Sequence, residues 1–153
     1  MDPAPQPTKR KRLFHTTPPW VSSGKTFFIT ICCTQRHQNQ LACPTAFAVM
    51  TAALEHYVDS HRLWADLFLV MPDHPHALPS FPPDEQMEKV IRDWKRFVAK
   101  QTGIVWQAGF FDHRLRSDES YEEKAHYIRM NPVRAGLAAE PQDWPYVWEV
   151  RRA

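Results

Sequence analysis

Two histidines separated by one residue, His74 and His76, and a tyrosine and an asparagine four positions apart, Tyr127 and Asn131, are the residues of this chain best suited to chemistry. On an extended strand side chains alternate between faces, so His74 and His76 point the same way; on a helix, positions i and i+4 share a face, so Tyr127 and Asn131 do too. Two imidazoles and an amide oxygen can hold a divalent cation and leave coordination positions open for a substrate oxygen. A tyrosine hydroxyl beside that ion is a nucleophile in waiting. Its reference pKa of about 10 makes it weak at neutral pH, so it needs activation by its surroundings or by a base. The sequence does not identify that base. His113 and His126 are candidates, although His126 adjoins Tyr127 and on a helix points about 100° away. Each residue also has a plainer reading: structural histidines, a packed helical aromatic, and Tyr121 as a second tyrosine on the same helix.

The elements that must position these groups are partly legible. The apolar run at residues 67–71 leads through Pro72-Asp73 into His74-Pro75-His76 and predicts one strand over residues 64–76. Pro75 weakens it, because proline donates no ladder hydrogen bond, although its fixed φ suits an extended chain. Ser117-Asp118-Glu119 reads as an N-cap with acids in the first turn, opening a helix that runs to Met130. Pro132 disfavours helical geometry at Asn131, so the helix ends or kinks there, and Gly136 suits a later turn. Further strands are expected at 27–33 and 105–115, and helices at 46–60 and 85–100. The order β-α-β-α-β-α, without a tandem repeat, predicts an α+β fold with helices packed on a small sheet. Residues 141–148 are too proline-rich for a helix throughout. Their aromatics are expected to pack on the core, with nucleobase stacking by Trp144 or Trp148 as the alternative.

A chain of 153 residues with 43% hydrophobic content has room for one cored domain and not for two, so residues 13–153 are expected to form it behind a tail at 1–12. No apolar run reaches the roughly 20 residues of a membrane-spanning helix, and the N-terminus is polar and proline-rich, unlike a signal peptide; a cytoplasmic protein is expected. Cys32, Cys33 and Cys43 read as reduced thiols, since no Cys-x-x-Cys pair closes a zinc site. The net charge of +2 is uninformative, so placement of the cations matters more. Lys9, Arg10, Lys11 and Arg12 follow a Pro-rich leader expected to be disordered, as either a solvated tail or a phosphate-binding arm. On the helix at 85–100, Met87, Val90, Ile91, Trp94, Phe97 and Val98 recur at core spacing, while Lys89, Arg92, Arg96 and Lys100 share another face. That stripe is either a solvated surface or a nucleic-acid contact. Arg114 and Arg116 share a strand face with Asp112, for phosphates or for acids.

Four blocks carry a family resemblance. They are Pro18-Pro19-Trp20-Val21 leading to Phe27-Phe28-Ile29-Thr30; Val70-Met71-Pro72-Asp73-His74-Pro75-His76; the run from Trp106 to Arg116, WQAGFFDHRLR; and the run from Tyr127 to Leu137, YIRMNPVRAGL. Over about residues 18–148 the chain resembles the REP-associated tyrosine transposases, a branch of the single-tyrosine HUH transposases related to bacterial insertion sequences. The last two blocks, in that order and spacing, are the specific ones. The resemblance implies a central antiparallel sheet of ferredoxin-like or RRM-like HUH type. It implies His74 and His76 as a metal-binding pair, Asn131 as third ligand and Tyr127 as nucleophile.

It also implies Mg²⁺- or Mn²⁺-dependent cleavage and rejoining of single-stranded DNA beside short hairpins, through a 5′-phosphotyrosine and a free 3′-hydroxyl and without ATP. Lys9, Arg10, Lys11, Arg12, Lys89, Arg92, Arg96, Lys100, Arg114 and Arg116 then become the candidate DNA contacts, in a bacterial, nucleoid-associated protein. A single tyrosine suits either a homodimer or a one-strand reaction. The chain departs from the family in Pro75, which stands where a bulky hydrophobe usually separates the histidines, and in Pro79 soon after; His74 and His76 are still expected to bind the metal. Two other readings stand beside this one: a domesticated hairpin-DNA-binding protein without the chemistry, and an unrelated metal hydrolase.

Overall fold

The computed structural model describes residues 14–15, 17–23, 25–116 and 121–152. Strand β1 (Phe14–His15) and helix α1 (Pro19–Ser23) precede β2 (Phe27–Thr30), α2 (Pro44–Asp59), β3 (Trp64–Met71), β4 (His74–Ser80), α3 (Met87–Thr102) and β5 (Phe111–Arg114). Then follow α4 (Tyr121–Arg129), the short α5 (Asn131–Arg134), a single 3-10 turn at Pro141–Asp143, β6 (Val147–Glu149) and β7 (Arg151–Arg152). Five strands form one sheet in the order β5-β2-β4-β3-β6 with every neighbouring pair antiparallel. The segment β2-α2-β3-β4-α3-β5 is a split β-α-β arrangement, with β4 inserted between β2 and β3, as in ferredoxin-like folds. The α+β expectation holds.

Both faces of the sheet are covered. On one, α2 and α3 bury Met50, Leu54, Val58, Val90, Ile91, Trp94 and Val98 against Ile29, Phe68 and Val70. On the other, Ala125 and Ile128 of α4 pack against Leu67, Leu69, Met71 and Leu78, with Phe28, Tyr121 and Trp144 at the margin. Successive residues of β3 therefore serve opposite cores, which is why the strand reads as a continuous apolar run with no alternation.

Three expectations need correcting. The strand foreseen over 64–76 is a hairpin: Pro72-Asp73 is its turn, with Met71 opposite His74 and Leu69 opposite His76. The strand foreseen over 105–115 shrinks to β5, because the Lys95 ammonium holds the carbonyls of Gln107 and Gly109 at 2.8 and 2.6 Å and Gly109 turns the chain at φ +72°. Phe97 of α3 is 45% exposed instead of buried; at 100° per residue it lies about 80° from the centre of the apolar stripe, at its rim. The C-terminal aromatics do pack, and they carry a strand the sequence did not suggest. Trp148 of β6 is buried with its Nε1 donating to Glu55, and the Trp144 indole donates to the Val70 carbonyl.

Pro75 is accommodated by the ladder. The Val70 N–H points away from β4, to the Tyr146 carbonyl, so Pro75, opposite Val70, turns its backbone toward β2. There its carbonyl accepts from the Ile31 N–H, and β2 ends one residue earlier, at Thr30, where the missing donor leaves the ladder incomplete.

Candidate metal and nucleophile site

His74 and His76 share the sheet face that α4 covers. Their ring centroids are 4.7 Å apart and nearly perpendicular. Each ring has its Nδ1 engaged by the protein: His74 with an Asp73 carboxylate oxygen at 2.6 Å, and His76 with the Thr30 hydroxyl at 2.9 Å. Thr30 lies opposite His76 in the β2–β4 register, which is what sets that contact. Asp73 in turn accepts the His37 N–H at 2.7 Å and pairs with Arg36 at 3.4 Å. Burial alone would raise the Asp73 carboxyl, but the His37 N–H, His74 and Arg36 outweigh it and hold it below the usual carboxylate value. Burial, His74 and the guanidinium groups of Arg134 and Arg36 push His76 down to about 3. With Nδ1–H donating to the Thr30 oxygen, a neutral His76 ring presents Nε2 as a lone pair, the form that ligates metals; with the Thr30 hydroxyl donating, it does not.

Tyr127 reaches this pair through Phe28. The Phe28 ring stacks on His76 at 5.4 Å and meets the Tyr127 ring edge-on at 6.4 Å. Tyr127 itself is 52% exposed, open to a large substrate. Two cations attend its ring, the Arg134 guanidinium 4.1 Å and the Lys124 ammonium 5.9 Å from the centroid. Arg134 also donates to the Tyr127 carbonyl at 2.6 Å and to Asn131 Oδ1 at 3.0 Å. Helix α4 stops at Arg129 and α5 starts at Asn131 with Pro132 in its first turn, so the interruption falls at Met130, one residue before the place foreseen, and Asn131 itself is helical because proline is tolerated in a first turn.

The residues fit a divalent cation. Among the described residues no three His, Cys, Asp or Glu side chains cluster closely enough to hold a metal. A ligand beyond the two histidines must therefore be of another type. Asn131 offers an oxygen: its Oδ1 keeps a second lone pair beside the Arg134 bond. Its Nδ2, buried with no partner among the described residues, is a hydrogen-bond donor and would not ligate a cation.

The remaining sequence candidates are dispersed. Tyr121 packs at the margin of the second core. His113 lies opposite Phe28 and so on the site face, whereas His126 is exposed on α4. Lys89, Arg92, Arg96 and Lys100 are exposed on α3, across the sheet from the histidines. Arg114 lies opposite Phe27, and Asp112 opposite Ile29, so both turn to that far face as well; Arg116 is exposed beyond β5. Lys9, Arg10, Lys11 and Arg12, and the cap foreseen at Ser117-Asp118-Glu119, lie outside the described residues. Sequence reasoning passed over Asp73, Thr30, Phe28, Lys124 and Arg134. Only two carried a signal: Asp73 adjoins His74, and Arg134 falls on the Tyr127 side of the turn.

No family model matches the chain. It is 25% identical over 126 residues to the REP-associated tyrosine transposase of Escherichia coli K12, covering 80% of this chain and 75% of that one. A Haemophilus influenzae relative carrying the same family name is 30% identical over 95 residues, covering 50% of this chain and 53% of its own. In sequence the chain is similar to REP-associated tyrosine transposases. A solved REP-associated tyrosine transposase bound to a REP hairpin superposes with a TM-score of 0.72 at 24% identity, over 92% of this chain and 81% of that one. Its fold is therefore shared with a REP-associated tyrosine transposase along nearly the whole chain. No helix among the described residues is long and apolar enough to cross a membrane.

Proposed function

We propose that this chain cleaves single-stranded DNA beside hairpins and transfers the cut strand, with Tyr127 as nucleophile and His74, His76 and Asn131 as ligands of Mg²⁺ or Mn²⁺. The observation that carries the reading is the run of ring contacts from His76, stacked on Phe28, to Tyr127, which meets Phe28 edge-on; it links the histidine pair to an exposed hydroxyl-bearing ring. When bound, the cation would supply Lewis-acid charge withdrawal and a template for the scissile phosphate. The protein's own groups do the rest. Tyr127 Oη loses its proton and forms a bond to phosphorus while the bond to the 3′-oxygen breaks, and that oxygen takes up a proton as a free 3′-hydroxyl. The chain is left as a 5′-phosphotyrosine. Because one phosphoester replaces another, a 3′-hydroxyl can reverse the step and join strands without ATP. Arg134 and Lys124 place positive charge beside the ring where the phosphate must sit.

The test is a denaturing gel of the protein with Mn²⁺ and labelled hairpin oligonucleotides with single-stranded flanks, taken from around its own gene. A covalent adduct formed by wild type and absent in Tyr127→Phe is the expected outcome. Hairpin binding without any adduct would leave a DNA-binding protein that kept the fold and not the chemistry.

A further inference from the structure

An exposed aromatic ring on an edge strand invites aggregation unless something covers it. Phe111, the first residue of β5, is 67% exposed, more than any other large hydrophobic residue described. The register puts it in one cross-strand row with the site: Phe111 lies opposite Thr30, Thr30 opposite His76, and His76 opposite Leu69. Directly opposed residues share a face, so the Phe111 ring stands on the histidine face. Adjacent strands are about 4.8 Å apart, which puts Phe111 roughly 10 Å from His76 across the sheet. Beside it opens a recess of about 160 Å³ walled by Cys32, Gln107, Ala108, Gly109 and Phe110. The Lys95 ammonium bonds to the Gln107 and Gly109 carbonyls, so that wall is pre-shaped.

Resting on the function proposed above, we infer that Phe111 and the recess beside it form a nucleobase-stacking site, which seats a base of the single strand flanking the scissile phosphate. The occupant follows from chemistry. A flat, exposed ring beside a walled recess takes a flat partner, and it continues a face whose cations, Lys124 and Arg134, suit a polyanion. A strand crossing β4 and β2 from the histidines reaches β5 next. Stacking there fixes the phosphate's register without reading a particular base, since every base offers a π-face.

The experiment uses the full chain, EDTA to prevent cleavage, and hairpin oligonucleotides with no flank, a 5′ flank or a 3′ flank, each flank carrying 2-aminopurine at successive positions. Wild type is expected to quench the probe at one flank position and to bind that flanked hairpin more tightly than the blunt one. Phe111→Leu should lose the quench and weaken flanked binding by about 5- to 150-fold, with blunt binding unchanged and the melting temperature retained. Phe111→Tyr should keep both signals. Equal flanked and blunt binding by Phe111→Leu and wild type, with the Tyr127 adduct formed normally, would overturn this inference and leave the strand-transfer reading intact. So would a dimer in wild type that becomes a monomer in Phe111→Leu with flank affinity unchanged, because the ring would then be a subunit contact. Wild type that binds none of the hairpins would overturn both.

Discussion

Asp73→Asn is a near-isosteric change at a single buried carboxylate, and its effect on metal affinity separates a supported ligand from an incidental histidine. Asp73 is 6% exposed and receives three groups: the His37 N–H, His74 Nδ1 and the Arg36 guanidinium. The amide can still accept the His37 N–H, so the turn of the β3–β4 hairpin should persist. What it loses is the negative charge that orients the His74 ring. Outer-shell partners of ligating histidines contribute about 10- to 100-fold in metal affinity, equivalent to about 1.4–2.7 kcal/mol. Isothermal titration with Mn²⁺ should therefore show a Kd weakened by that factor in Asp73→Asn and no measurable binding in the His74→Ala, His76→Ala double variant. The charge-assisted bonds forgone are worth about 1.5–3 kcal/mol to folding, a loss of roughly 3–12 °C in melting temperature for a chain of this size. A folded Asp73→Asn protein that binds Mn²⁺ as wild type does would refute the role of Asp73, and unchanged affinity in the double histidine variant would refute the metal pair itself.

Other outcomes are equally specific. Ile128→Ala removes a fully buried side chain beneath the α4 helix and should cost about 2–5 kcal/mol in urea denaturation. Tyr121→Phe should leave adduct formation at the wild-type level, since Tyr121 packs at the core margin; loss of the adduct would move the nucleophile. Neutralising Lys89, Arg92, Arg96 and Lys100 to Gln should leave the salt dependence of hairpin binding unchanged, because α3 lies across the sheet from the histidines, whereas Arg134→Gln should lower the slope of log K against log salt by about 1. In thiol titration Cys43 should react first: Cys32 and Cys33 are buried, and burial with the nearby Asp73 charge pushes the Cys33 thiol up to about 11.

How far the sequence reached follows from the range of each interaction. Tyr127 and Asn131 were legible by spacing as near neighbours, yet they lie in α4 and α5 on either side of Met130, and it is Arg134 that bonds to both. The histidine pair was legible as alternation, yet its strand was drawn too long, because Pro72-Asp73 reads as a link in an apolar run until the two arms are seen to pair. Strand β6 has three residues, too few for a period, and takes its form from β3. Phe28, Thr30 and Phe111 acquire their roles only through cross-strand register, which no local pattern encodes. The basic residues show the converse. Their periodicity on α3 was read correctly, but which layer of the molecule that helix occupies is a property of topology.

The hairpin that presents His74 and His76 closes over a two-residue turn, while Tyr127 comes from about fifty residues further along the chain. Contacts so separated in sequence bear a larger loop-closure cost and form late. A chain emerging from the ribosome thus completes its hairpin well before it owns a nucleophile. Any strand-cutting capacity arises only after α4 has been synthesised and has laid Ala125 and Ile128 onto the sheet. On the strand-transfer reading proposed above, a half-made copy would carry the histidine pair without the residue that attacks, a consequence of the order of the elements alone.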